Sequence, residues 1–318
     1  MERIILMNNK LTLTGANKLF FAFTVVFLLY QFIAGIFLGE VLLDNMYVFL
    51  IINQVLIASF VLIYCKAKKI SIKETFRFKK LDLLPALLII LLSIPALLAA
   101  TMLNNIVAYL LQFIVELPPT NLPVPKNITE LIVGIAIIGI TPGVCEELMH
   151  RGFLLTAYER RGSYKAVIIV SILFGLFHFD VTNLVGPIFL GMIIGYYVVR
   201  TGSIFAGMLA HFLNNAIAEI IQYLWSDPTP AESISLTGEE LLGIIGMGIA
   251  ALAVTAVLLY FFRKVTEGKS VIMPSISKTR GDVRAILSHW PVTAVLVLYI
   301  LWTLFYIFTF MAVKYIGM

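Results

Sequence analysis

The chain has 318 residues, of which 60% are hydrophobic and only 13% charged, with a formal net charge of +5. Soluble domains carry about 45–50% apolar and about 25% charged residues. This composition, with a mean hydropathy of +0.99, excludes an ordinary soluble protein and indicates a polytopic membrane protein. Basic cytoplasmic loops account for the positive charge, and no nucleic-acid partner is expected.

Apolar runs of about 20 residues mark spanning helices. Nine are expected, over 19–39, 46–65, 83–115, 128–160, 164–180, 184–200, 204–225, 241–263 and 290–312, which makes the fold an all-α transmembrane bundle. The first run follows Arg3, Lys10 and Lys18. It exceeds the roughly 7–15 residues of a signal-peptide core and lacks a small-residue cleavage site, so it reads as a retained membrane helix. The third contains Pro85 and Pro95, which predict a kink or a tilt. The fourth carries Pro142-Gly143, read either as a local opening that frees carbonyls or as a simple kink. The chain divides into 1–127, with N-terminal helices and a basic loop, 128–225, where polar residues gather, and 226–318, with C-terminal helices.

Loop charge alternates. Lys66 to Lys80, Arg160 to Lys165, Arg200, and Arg263 to Arg284 bound basic segments. The other loops hold Glu40 and Asp44, then Asp180, then Asp227, Glu232, Glu239 and Glu240; in the third loop Glu116 and Lys126 cancel. Basic loops stay inside, so the N-terminus is expected in the cytoplasm and the C-terminus outside. The 66–80 segment, with Phe76 and Phe78, reads as a topogenic loop or as a piece lying on an anionic leaflet. Cys65 falls at a helix end and Cys145 at mid-membrane, so no disulfide joins them.

Charge is costly inside an apolar run, about 2.5–3.5 kcal/mol per residue on insertion scales. Glu146, Glu147 and Arg151 nevertheless occur within one such run, beside His150. His178 lies on the fifth helix, and His211, Asn214 and Asn215 on the seventh. The pairs Glu147/Arg151, Phe174/His178 and His211/Asn215 are each spaced i, i+4, on one helical face. Glu147 and Arg151 can neutralise each other. Glu146, rotated roughly 100° away, is left as the free carboxylate and candidate base. His178 and His211 can share a water with it, and Asn215 offers amide donors for an oxyanion. Taken singly, a buried His, a Glu-Arg pair or a membrane Asn is ordinary helix packing. Three helices each giving a polar face to one small domain point to chemistry. Cys145 as a nucleophile is set aside, because apolar surroundings keep a thiol inert. His150 reads as a neighbour of the site or of lipid headgroups, and His289 as an interface residue.

The ordered set Glu-Glu-x-x-x-Arg at 146–151, Phe-x-x-x-His at 174–178 and His-x-x-x-Asn at 211–215 resembles the CPBP family of intramembrane proteases. That family includes type II CAAX prenyl endopeptidases and bacterial bacteriocin-processing and self-immunity proteins. The resemblance covers about 128–225, so that section is expected to be a CPBP-like catalytic core. It extends to the helix containing Gly191 and Gly195, whose spacing permits close packing. It implies that Glu146 is the catalytic glutamate and that His178 helps activate water. His211 and Asn215 would hold the oxyanion, and Glu147 and Arg151 would support the site. The expected substrate is a membrane-associated peptide or protein, lipidated or not, met among membrane lipids. The small soluble mass is similar to bacterial members, which suggests a bacterial plasma membrane. No cofactor is firmly implied. Zinc is the alternative, with Glu146, His178 and His211 as three ligands and one position open, although no His-Glu-x-x-His motif is present. Competing readings are a strict prenyl-protein endopeptidase, a non-catalytic regulator that binds membrane proteins, and an ion or proton-coupled transporter. The intact motif set weighs against the regulator, and the lack of inverted repeats against the transporter.

Overall fold

The structure is a computed structural model that describes residues 11–118, 122–225 and 235–316. Arg3, Lys10, Asp227 and Glu232, and the side chains of Glu40 and Asp44, lie outside the described residues. Among the described residues, nine main helices follow the nine apolar runs. They are α1 (Leu13–Asp44), α2 (Met46–Ala67), α3 (Leu83–Leu111), α4 (Ile128–Arg161), α5 (Ser163–Phe177), α6 (Val185–Thr201), α7 (Ile204–Trp225), α8 (Gly238–Val265) and, after a short amphipathic α9 (Thr279–Leu287), α10 (Trp290–Ile316). Seven are long and apolar enough to cross a membrane. The other two, α5 and α6, have 15 and 17 residues. At 1.5 Å per residue they run about 22–26 Å, short of a hydrocarbon core about 30 Å thick.

Helix ends are set by local chemistry. Asn127 accepts from the Glu130 N–H and starts α4, and Thr237 with Glu240 forms a reciprocal cap on α8. Gly202, at φ +67°, closes α6 in the left-handed region that glycine tolerates. Pro95 lies within α3, whose helix runs unbroken past it.

Two large apolar clusters hold the bundle among the described residues, beside a small one at Leu176, Phe179 and Tyr299. One gathers α1, α2, α4 and α5 around Phe23, Val61, Phe153 and Val170. The other gathers α3, α6, α7 and α8 around Leu92, Ile194, Ala206 and Phe262. Gly191 and Gly195 bring α6 onto α5, since a Cβ at either would lie 3.0 Å from Ser171 or Val167. Outward-facing Phe32, Phe37, Ile63, Leu91 and Ile94 remain exposed. So much exposed apolar surface suits lipid and not water.

The basic segments meet at one end of the bundle. Arg77 pairs with Glu159, Arg161 and Lys165 pair with Asp282, and Lys269 pairs with Asp82. Arg160 reaches the Leu11 carbonyl, which brings the start of α1 to the same end. At the other end Gln112 bonds Leu236 at both its donor and its acceptor, and Lys314 reaches the Gln112 carbonyl.

Candidate active site

The site is built on a distorted α4. Two π-helical stretches, Ile135–Ile140 and Leu148–Leu154, flank an α-helical one, Thr141–Glu147, with Pro142 in its first turn. Proline lacks an N–H and cannot continue the regular ladder, and π turns offer carbonyls to other partners. One such carbonyl, of Ile138, accepts from Asn215 Nδ2 at 2.9 Å and so ties α7 to α4 beside the site.

Glu147 and Arg151 face inward and are 0% and 1% exposed. Arg151 Nη1 donates to Glu147 Oε1 at 2.5 Å, and Nη2 to the Gly191 carbonyl of α6 at 3.2 Å. The guanidinium also lies 4.6 Å over the Phe174 ring. A charge removed from water needs this set of partners. Glu147 Oε1 further accepts from His211 Nδ1 at 3.0 Å. Gly207, one turn before His211, makes room for this contact, because a Cβ there would come within 2.5 Å of Glu147 Oε2.

These contacts fix the tautomers. A carboxylate only accepts, so His211 carries its proton on Nδ1, and Nε2 is left facing Glu146 Oε2 at 3.9 Å. His178 Nδ1 donates to the Phe174 carbonyl at 2.8 Å, which leaves its Nε2 as an acceptor. Glu146 has a partner that the motifs did not name. Gln54 of α2 donates Nε2–H to Glu146 Oε1 at 2.9 Å. Asn53-Gln54, a polar pair inside an apolar run, was the visible signal for it.

His178, His211, Asn214 and Asn215 line one cavity of about 180 Å³, with α3 forming the far wall. Glu146 is not among the lining residues and meets this group through His211. His150 is fully buried and lies edge-on to Phe20, Phe174 and Phe177, and its Nδ1 donates to the Glu146 carbonyl. That removes the headgroup reading of His150 and leaves it a packed neighbour of the site. His289 bonds Asn17 at the basic end. Cys65 and Cys145 are free thiols.

The residues named for zinc do not gather as a ligand set. Among the described residues no group of three or more His, Cys, Asp or Glu is placed to hold a metal.

The fold and site define a polytopic helical membrane protein with an internal carboxylate–imidazole centre. Residues 128–217 match the Rce1-like family, described as type II CAAX prenyl endopeptidase, a match consistent with a CPBP-family intramembrane protease. The matched segment contains all three motifs and supports, in general terms, an intramembrane CAAX-type endopeptidase acting on a peptide or protein. No curated protein and no solved structure matches the chain.

Proposed function

We propose that the chain hydrolyses a peptide bond of a membrane-associated substrate, with Glu146 as the base that activates water. The observation that carries this is the relay Arg151–Glu147–His211–Glu146 inside the bundle, with His211 Nε2 3.9 Å from Glu146 Oε2. That gap exceeds a direct hydrogen bond and suits a shared water.

Glu146 Oε2 takes a proton from the water, and the oxygen adds to the substrate's carbonyl carbon. His178 Nε2, an acceptor, orients the water's second hydrogen. The developing oxyanion meets the second Nδ2 hydrogen of Asn215, which its bond to Ile138 leaves unused. The C–N bond then breaks, and Glu146 returns the proton to the leaving amine. Gln54 is a positioning residue that steadies the Glu146 carboxylate from the opposite side. In the membrane, the end rich in Lys and Arg is the cytoplasmic one.

Substrate-trapping proteomics tests the reading. Membranes with Glu146→Gln should retain uncut partners that wild-type membranes lack. Identical partner sets in both would contradict it.

A further inference from the structure

The same cavity has a second polar wall, contributed in part by α3, which lies outside the matched segment. Asn104 of α3 and Asn183 of the α5–α6 turn both line it. The Gly186 N–H donates to Asn104 Oδ1 at 2.7 Å, which fixes that oxygen as the acceptor. Asn104 Nδ2 therefore faces Asn183, and it donates to Asn183 Oδ1 at 2.8 Å. Each amide's orientation follows from the one before. The chain of contacts ends with the Asn183 NH₂, which has no partner among the described residues. Gly186 is required for this arrangement, since a Cβ there would lie 2.7 Å from Asn104 Nδ2.

A mere tie between α3 and the turn would need only the acceptor of Asn183. Its two remaining hydrogens border the space that also contains His178 and His211. They are neutral donors, so they complement a carbonyl oxygen and have no charge to attract an anion. Leu97, Leu190 and Ile194 give the cavity an apolar side. Thr101 lines it and is itself exposed, so the cavity reaches the outer surface of the bundle on the α3 side.

We infer that Asn183, oriented by Asn104, forms a subsite that binds a backbone carbonyl of an extended peptide carrying an apolar side chain, entering beside α3. This rests on the hydrolase reading above and adds where the substrate is held.

Two variants test it with a synthetic peptide spanning a trapped cut site. Asn183→Asp keeps the acceptor that Asn104 uses and replaces only the donor. Asn104→Asp removes the donor that Asn183 faces, so the Asn183 amide turns around and presents its oxygen to the cavity. Each should raise KM about threefold to tenfold, the effect of one neutral hydrogen bond, with kcat held within about twofold. Peptide Kd on the catalytically silent Glu146→Gln background should weaken by the same factor. Unchanged KM and Kd in either folded variant, or a fall in kcat alone, overturns the subsite. If neither variant folds, the contacts are structural and the inference also fails. Peptide left uncut by the wild type would instead overturn the hydrolase reading, and the Kd comparison would still judge the subsite.

Discussion

Glu147 and Asp282 are both almost fully buried, and each meets two basic groups. Glu147 joins Arg151 and His211 in the middle of the bundle. Asp282, on α9, joins Arg161 and Lys165 at the basic end, and those partners stay 26% and 18% exposed. Water reaches the second set and can replace a lost partner, whereas nothing comparable surrounds the first. The same kind of contact is therefore sealed inside the bundle in one region and a clamp on a surface segment in the other.

The largest effect is expected at the inner pair. Glu147→Ala or Arg151→Ala alone leaves an uncompensated buried charge and should cost about 3–5 kcal/mol of stability. The double variant should lose less than the sum, with coupling above about 1 kcal/mol in a double-mutant cycle. Additive losses would place Glu147 in the same category as Asp282.

Gln54 comes next. Gln54→Met keeps the volume and removes the donor to Glu146 Oε1. A hydrogen bond to a charged group contributes about 1.5–3 kcal/mol, so kcat/KM should fall about tenfold or more while thermal stability changes little. Unchanged kcat/KM would reduce Gln54 to a packing residue.

The outer clamp should show the smallest effect and a pH signature. Hydrogen bonds from Lys165 and then Ser277 hold the Asp282 carboxyl down to about 2, against about 3.9 in the unfolded chain. The folded form therefore favours the charged state. The clamp's contribution is complete above about pH 3.9 and drains away as pH falls toward about 2. Thermal unfolding of wild type minus Asp282→Asn should show a difference of about 1 kcal/mol or less near neutrality, shrinking only in that acid window. A difference that shrinks near pH 6 would assign the titration to another group.

The nine apolar runs were legible in the sequence because hydropathy and length alone set them, and the helices begin and end within six residues of the expected spans, the first helix departing most. The i, i+4 pairs were legible for a similar reason, since spacing puts Glu147 beside Arg151 on any helix. Gln54, Asn104 and Asn183 were not singled out. The Asn53-Gln54 and Asn104-Asn105 pairs stood out as polar within apolar runs, but the meaning of Gln54, Asn104 and Asn183 comes from partners 92, 79 and 79 residues away. The π turns of α4 were half legible. Pro142-Gly143 marked a disturbance, but only packing against α7 decides which carbonyl it frees. Asp180 read as one more acidic loop. In that loop, between α5 and α6, it accepts from Thr182, and the Tyr299 hydroxyl of α10 donates to its carbonyl.

The proposed role of Glu146 is to activate water against a peptide bond within the membrane. The most direct measurement uses purified protein in lipid vesicles, a trapped substrate and ¹⁸O-labelled water, with products weighed by mass spectrometry. Wild type should release a fragment whose new carboxyl carries ¹⁸O, and Glu146→Gln, folded to the same stability, should release none. Cleavage by Glu146→Gln at the wild-type rate, or wild-type product without the label, would contradict it.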